Sequence, residues 1–255
     1  MNVAAMDEAR ESDGEIIPSA SALGLVRLIH EREVTSTMDV AHALAADGAP
    51  AGCLVMADRQ HHGRGRGGHH WQSRDDAGLW ITLVERPDDR QAIGVLSLRL
   101  GLAIAEGLDP FVPQPVRLKW PNDVMIGTGK VAGILVEARW RDASVDWVAI
   151  GIGINRRVPP NVPSAAAVGE GVSRASLLQA IVPRIRAACT RRGHLSDEER
   201  AAWHTRDCAR GRRIRAPREG IVVGISADGA LLVSDAISAT TESVRAGSLV
   251  FDERT

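Results

Sequence analysis

The strongest constraint on the fold is the segment 91–108. It is long enough for a helix and apolar almost all the way round, with Arg99 and Glu106 its only charged residues. A surface helix shows one apolar stripe, whereas a helix without a polar face packs in the interior. Other elements must therefore enclose it. Strand-length apolar runs lie on both sides in sequence, at 52–57, 79–84, 116–120, 131–140 and 145–154. Gly127-Thr128-Gly129 supplies a hairpin turn between the third and the fourth. Thr35-Ser36-Thr37 opens another helix, with Asp39 in the first turn, where the positive helix end favours an acid. Val40, Ala41, Ala43 and Leu44 are its expected apolar stripe, and Gly48 and Pro50 close it. Helical spacing returns at 174–190, where Pro183 predicts a kink or an early break, and at 196–206. The pattern predicts an α/β (α+β) fold in which a β-sheet is flanked by helices.

After about residue 208 the texture changes. Short runs at 212–216, 220–226, 230–234 and 241–250 are separated by Pro217/Gly220, Asp228-Gly229 and Gly247. They predict a small antiparallel barrel over 209–255. Residues 1–24 are acidic, rich in small residues and aperiodic, and read as a mobile tail before a main domain at 25–208.

Composition narrows the function classes. Of 255 residues, 44% are hydrophobic and 25% charged, with a formal net charge of −1. That is a globular composition, and nothing in it points to nucleic acid or to an anionic membrane. No run approaches the ~18 apolar residues of a membrane span. Cys53, Cys189 and Cys208 are odd in number and widely spaced, with no disulfide framework or metal knuckle, which fits a reducing cytoplasm. The stretch 184–218 holds eleven arginines against four acids. A nucleic-acid patch is one reading. A solvated helix face and barrel rim is the preferred one, since no RNA- or DNA-binding motif accompanies the charge.

The chain has 29 arginines but only two lysines, Lys119 and Lys130, and only four asparagines. Lysine approaches an anion as a compact point charge, which arginine's planar fork cannot always replace. Both lysines, with Asn122 and Asn155, fall between 119 and 155. Chance and a bias towards arginine is the bland alternative.

Four constellations could carry chemistry. Gly63-Arg64-Gly65-Arg66-Gly67-Gly68 runs on to Trp71, with no acid between Arg59 and Arg74. Its glycines let backbone approach a ligand and its arginines offer bidentate contacts to phosphate. A flexible RNA-binding or linker loop is the alternative. His61, His62, His69 and His70 share the segment, but neighbouring histidines without a Cys or an acid rarely complete a metal site, so no metal is assigned. Lys119-Trp120-Pro121-Asn122-Asp123 sits at a strand end, where polar side chains face ligands. In Gly129-Lys130-Val131-Ala132-Gly133-Ile134-Leu135-Val136-Glu137 an isolated lysine opens an apolar strand, and Gly133 leaves room for a flat ligand or a second backbone. Gly151-Ile152-Gly153-Ile154-Asn155 is a strand whose glycines make space and whose Asn ends it. Each alone could be a tight strand turn.

Together, Ser36-Thr37, the glycine–arginine loop with Trp71, KWPNDV (119–124), GKVAGILVE (129–137) and GIGIN (151–155) resemble the biotin–protein ligase family, in its order and at its spacing over about residues 34–156. The resemblance implies a mixed sheet of the biotin/lipoate ligase, class II synthetase-like type, with a C-terminal SH3-like barrel. It implies an ATP-dependent ligase that activates biotin as biotinyl-5'-adenylate, with Mg²⁺ on the phosphates, and transfers it to a lysine of a biotin carboxyl carrier protein. Biotin would meet Ser36, Thr37, Gln60, Arg64, Arg66 and Gly133; the nucleotide would meet Arg64, Arg66, Trp71, Lys119, Asn122, Lys130 and Asn155. Lys130 would bridge carboxylate and α-phosphate, Arg66 would assist, and Asp123 would orient or deprotonate the acceptor amine. Met38 replaces an Asn common in the family, and Gly67 and His69 stand where some members carry arginines. No winged-helix segment precedes the motifs, so a monofunctional enzyme is expected, cytoplasmic, monomeric or homodimeric, binding neither specific nucleic acid nor membrane. A lipoate or octanoate ligase and a basic RNA-binding module are the rival readings.

Overall fold

The structure, a computed structural model, describes residues 10–12, 15–75, 77–235 and 240–252. A short pair, β1 (Arg10–Ser12) and β2 (Glu15–Ile17), precedes the main sheet. That sheet contains β3 (Arg27–Val34), β4 (Cys53–Arg64), β5 (His70–Ser73), β6 (Gly78–Glu85), β7 (Val116–Lys119), β8 (Asp123–Ile126), β9 (Gly129–Arg141) and β10 (Ser144–Asn155). Its order is β3-β4-β6-β10-β9-β8-β7, with β5 hydrogen-bonded to β4. Only β3 and β4 run parallel, joined by helix α1 (Thr37–Ala46). The sheet is thus mixed, and the helices flank it as expected.

Strand alternation assigns the two faces. Along β4, Leu54 and Met56 join the large core, while Cys53 and Val55 join a smaller one with Ala41 and Ala45 of α1 and with Trp147. Every residue of β6 is buried, because both faces are covered. The large core is built on α2 (Arg90–Gly94) and α3 (Leu96–Leu108), which share the apolar segment, and on α4 (Arg174–Cys189), which packs along α3. The segment is interrupted at Val95 rather than forming one helix. Leu100 and Ile104 are fully buried, each worth about 1.5–3 kcal/mol of apolar transfer. Arg99, inside the same helix, is 3% exposed. It grips Glu199 of α5 (Asp197–Arg206) through two bonds, Nε–Oε1 at 2.8 Å and Nη2–Oε2 at 3.1 Å. Three further bonds run to the carbonyls of 191, 192 and 194.

Several expectations need correction. Ser36 caps α1 as expected, accepting from Met38 N, but the buried face is Thr37, Met38, Ala41 and Ala45, and Ala43 is exposed. The strand 52–57 extends to Arg64, so the polar segment 58–73 is largely a hairpin, closed by a single turn of 3₁₀ helix at 66–68. Strand β8 is too short and too close to the KWPND segment to stand out in the sequence; the Gly127 turn joins β8 to β9, not β7 to β9. Helix α4 runs through Pro183, which lies on an exposed side and forces no break.

Residues 15–24 are packed, not a tail. Ile17 and Leu23 are each 1% exposed. Glu15 pairs with Arg156 and accepts from the backbone N of Arg174 at the start of α4. The remainder of the expected tail, 1–9 and 13–14, lies outside the described residues.

The last five strands, β11 (Arg213–Ala216), β12 (Gly220–Ile225), β13 (Leu231–Ser234), β14 (Thr241–Val244) and β15 (Val250–Phe251), form an antiparallel sheet in the order β14-β13-β12-β11-β15. This is compatible with the expected small barrel. The run 241–250 is two strands, separated at Gly247.

Candidate active site

One cleft, with about 430 Å³ of empty volume, lies where β4, β9 and β10 meet the N-terminus of α1. Ser36, Thr37, Gln60, Arg64, Arg66, Trp71, Asn122, Lys130 and Gly133 all line it, with Met38, Gly65, Ile81, Ile134, Leu135, Gly151, Ile152 and Gly153. Residues from five separate sequence motifs are thereby brought to one place.

A neutral hydrogen-bonded row reaches the wall at Thr37 and Gln60 and is backed by Thr82 and Ser73. Thr82 Oγ1 donates to Thr37 Oγ1 at 2.8 Å. Thr37 donates to Gln60 Oε1 from its backbone N at 2.9 Å and from its hydroxyl at 3.1 Å. Gln60 Nε2 donates to Ser73 Oγ at 2.7 Å. Ser36, Thr37, Thr82 and Ser73 are buried. Uncharged groups this well sheltered can read the pattern of donors and acceptors on a ligand, because a mismatch strands a buried polar atom at a cost of about 1–3 kcal/mol. Neither Thr82 nor Ser73 belongs to a motif; the one sequence signal for Thr82 is a polar residue inside the apolar strand 79–84.

The cationic part of the wall is Lys130, Arg64 and Arg66. Lys130 Nζ lies 2.6 Å from Asp123 Oδ1 and 5.1 Å from the centre of the Trp71 ring. Arg64 donates to Asp39 at 2.8 Å and to Glu137 at 2.7 Å. Arg66 donates to the carbonyl of Gly247 at 2.6 Å, so the small sheet reaches the cleft rim.

Trp71 crosses the cleft over the glycines of two strands. A Cβ on Gly153 would sit 2.5 Å from its indole and one on Gly133 2.7 Å, while a Cβ on Gly151 would meet Met38 Sδ at 2.7 Å. Spacing of the glycines in 129–137 and 151–155 thus follows from the need for flat, side-chain-free strand surface. The Trp71 indole N–H is buried without an acceptor.

Other expected site residues lie off the cleft wall. Asp123 reaches it only through Lys130. Lys119 Nζ stands 5.3 Å from the Phe251 ring of the small sheet. Asn155 is 4% exposed and donates to the carbonyls of Lys130 and Ala166, tying the loop after β10 to the strand that carries Lys130. Asn122 does line the cleft, and its amide nitrogen donates one bond to the Ile134 carbonyl at 2.8 Å. Trp120 donates to the Gly229 carbonyl at 3.0 Å, a second tie to the small sheet.

Burial raises the thiol pKa of Cys53, Cys189 and Cys208, which disfavours a thiolate nucleophile at any of them. Among the described residues no group of His, Cys, Asp and Glu is gathered that could hold a metal ion. Of the eleven arginines in 184–218, eight form ion pairs, including Arg186 with Glu85, Arg206 with Asp109 and Arg215 with Asp252. Arg212 stacks on Phe251 at 3.7 Å. These arginines are thus largely matched by acids and by an aromatic ring of the protein's own surface. No helix among the described residues is long and apolar enough to cross a membrane.

Comparison with known proteins places this geometry. The family model described as "Biotin/lipoate A/B protein ligase family" matches residues 31–155. The bifunctional ligase/repressor BirA of Bacillus subtilis is 37% identical over 166 residues, which are 61% of this chain and 51% of that protein. The chain therefore spans about half the length of such curated relatives. A biotin–[acetyl-CoA-carboxylase] ligase of Mycobacterium tuberculosis is 32% identical over 200 residues, 73% of either chain. Among solved structures, the biotin protein ligase from Aquifex aeolicus in complex with biotin and ATP superposes with a TM-score of 0.73 at 26% identity, covering 89% of this chain and 99% of that one.

Proposed function

The chain belongs to the biotin/lipoate A/B protein ligase family, and on that premise we propose that it is a biotin–protein ligase, activating biotin with ATP and transferring it to a lysine of a biotin carboxyl carrier protein or domain. The observation that carries the reading is the set of groups gathered at one cleft: neutral polar groups at Thr37 and Gln60, backed by Ser73, apolar side chains at Ile81, Ile134 and Ile152, and cations at Lys130, Arg64 and Arg66. Biotin carries the matching groups, a ureido ring, an aliphatic chain and a carboxylate. A lipoyl ring has no ureido group with which to exchange hydrogen bonds with these polar groups.

Adenylation joins two anions. A carboxylate oxygen of biotin attacks the α-phosphorus of ATP, the bond to the β-phosphate oxygen breaks, and pyrophosphate leaves. Fixed positive charge at the meeting point lowers that barrier. Lys130 is the group we assign between the two anions, with Arg64 and Arg66 on the outer oxygens. Mg²⁺ arrives with ATP as part of the substrate. Trp71, Asn122 and Asn155 form or support the nucleotide side, and Lys119 acts at longer range from beside Phe251. Gly133 keeps the strand surface flat beneath the ligand.

In transfer, an acceptor lysine amine attacks the acyl carbon of the mixed anhydride and AMP leaves. The amine must first lose a proton, and Asp123 is the carboxylate we assign to accept it once Lys130 has turned to the phosphate. Such an anhydride hydrolyses if wet, so a cover is required; the hairpin 58–73 is our candidate. We take the residues up to 208, with the packed segment 15–24 included, as the catalytic unit and 209–255 as a small barrel bracing its rim. The enzyme is proposed to be cytoplasmic, monomeric or homodimeric, with no specific nucleic-acid or membrane partner.

The test mixes the protein with Mg-ATP, biotin and a carboxyl carrier domain. Biotin-dependent pyrophosphate release and a carrier mass increased by one biotinyl group are expected. More product from lipoate than from biotin would overturn the specificity.

A further inference from the structure

We propose that His42, which lies outside every motif of the cleft, is a positioning residue that aims Arg64. The inference rests on the reading of Arg64 as a ligand for the anionic end of the acyl-adenylate.

The geometry is a continuous chain drawn from four elements. Trp147 on β10 donates from Nε1 to His42 Nδ1 at 2.9 Å. His42 on α1 meets Glu137 Oε2 through Nε2 at 2.9 Å. The other oxygen of Glu137, on β9, receives Arg64 Nη2 at 2.7 Å, and Arg64 lies on β4. Indole N–H is a donor only, so Nδ1 of His42 must be bare and Nε2 must carry the proton. With its tautomer set, the imidazole can only donate to Glu137. The carboxylate is thereby held with one oxygen spent on His42 and the other left for Arg64. This is how a partner behind a functional group fixes its orientation.

The two carboxylates beside Arg64 differ in how firmly they are held. Asp39 is 49% exposed in its side chain and its pair with Arg64 is solvated, so that bond exchanges readily. Glu137 is 30% exposed, and His42 behind it is 13% exposed. Arg64 can therefore exchange Asp39 for a ligand oxygen while pivoting on Glu137. It lines both the cleft and the outer cavity that contains Asp39 and Glu137, as such a pivot requires. A guanidinium already oriented in the free protein loses less side-chain freedom on binding. The consequence is an effect on affinity, not on the chemical step.

The test measures biotin-dependent pyrophosphate release and thermal stability for the wild type, His42→Leu, His42→Gln, Trp147→Phe, Arg64→Ala and the His42→Leu/Arg64→Ala pair. Wild-type protein without biotin-dependent release would refute the functional reading itself; given that release, the variants test the role of His42 alone. We expect His42→Leu to raise KM for biotin about ten-fold with kcat changed less than about three-fold. His42→Gln, whose amide N–H can reach Glu137, should recover most of that loss. Trp147→Phe keeps the bulk but removes the donor, and should shift KM the same way by roughly three-fold, which covers the case that His42→Leu does not fold. In the Arg64→Ala background, His42→Leu should add less than about two-fold. A lower melting temperature with unchanged KM, a glutamine variant no better than leucine, or additive losses in the pair would each overturn the proposal.

Discussion

Arg66 donates to the backbone carbonyl of Gly247 at 2.6 Å, joining the tip of the glycine–arginine hairpin to the small C-terminal sheet across 181 residues of sequence. Trp120 makes a parallel tie from the KWPND motif to the Gly229 carbonyl. The small sheet therefore touches two of the cleft's motifs, through backbone acceptors and through the Phe251 ring beside Lys119, and it acts as part of the site's frame rather than as an appendage.

Lys130 should not be replaceable by arginine. Its ammonium sits 2.6 Å from Asp123 and over the Trp71 ring, and its Cε lies 3.0 Å from where a Cβ on Gly133 would be. A planar guanidinium does not fit that slot as a point charge between two anions. Lys130→Arg is expected to lower adenylation nearly as much as Lys130→Ala, by about 10²-fold or more if the group stabilises transition-state charge. Single-turnover pyrophosphate release measures it; near wild-type rates for the arginine variant would refute the role.

What sequence could show here was chemistry confined to side chains along one element. Ser36 as a cap, the isolated Lys130 and the spaced glycines 151 and 153 are local statements, and each lines the cleft. What it could not show was held by backbone or by distant partners. The segment 58–73 is polar and glycine-rich, so it reads as loop, yet the pairing of Gly63 with Trp71 and Arg64 with His70 makes it a hairpin. Packing of 15–24 depends on Arg156 and Arg174, far along the chain. The acceptors of Arg66 and Trp120 are carbonyls, which leave no residue-type signature, and the His42–Trp147 contact spans 105 positions.

Gly153→Ala should damage ligand binding more than folding. The added Cβ would meet the Trp71 indole at 2.5 Å. Overpacking of this kind costs about 1–3 kcal/mol if the neighbour cannot move. Trp71 lies on a hairpin at the cleft rim and can swing outward, which exposes the cleft. The expected result is a melting temperature within a few degrees of wild type, at roughly 2–4 °C per kcal/mol for a chain of this size, and biotin affinity at least ~10-fold weaker by titration calorimetry. Unchanged affinity would show that Trp71 does not cover the ligand.

Acid stability should depend on Asp58. Burial pushes its pKa up, but bonds from His30 at 2.7 Å and Arg174 at 2.5 Å outweigh that, and the net shift is downward. A carboxyl whose pKa is lower folded than unfolded adds stability that is present above the unfolded value near ~3.9 and is lost as pH falls through the folded value. Asp58→Asn is expected to lower the melting temperature at pH 7 and to flatten its decline between about pH 5 and pH 3. Parallel melting curves for variant and wild type across that range would refute the assignment.

The last prediction concerns retention of the acyl-adenylate, and it follows from the Arg66 tie. Gly63, Gly65, Gly67 and Gly68 surround the two arginines of the hairpin tip. Such a tip, left untethered, is expensive to order, at about 1–2 kcal/mol per residue. Bonds from Arg66 offset that, to the Gly247 carbonyl without ligand and to phosphate with it. Arg66→Gly removes both, while Lys130 and Arg64 remain to support adenylation. The chemistry of the first step should therefore fall less than closure does. The intermediate should escape and acylate lysines on bystander proteins in solution. Limited proteolysis of residues 61–70 with and without biotin plus ATP reads closure directly, and ligand protection is expected in the wild type but not in the variant. Bystander labelling, followed by mass, should rise about ten-fold or more in the variant if closure is what retains the intermediate. Equal cleavage in both ligand states of the wild type, with no rise in labelling by Arg66→Gly, would mean that the hairpin is not the cover over the site.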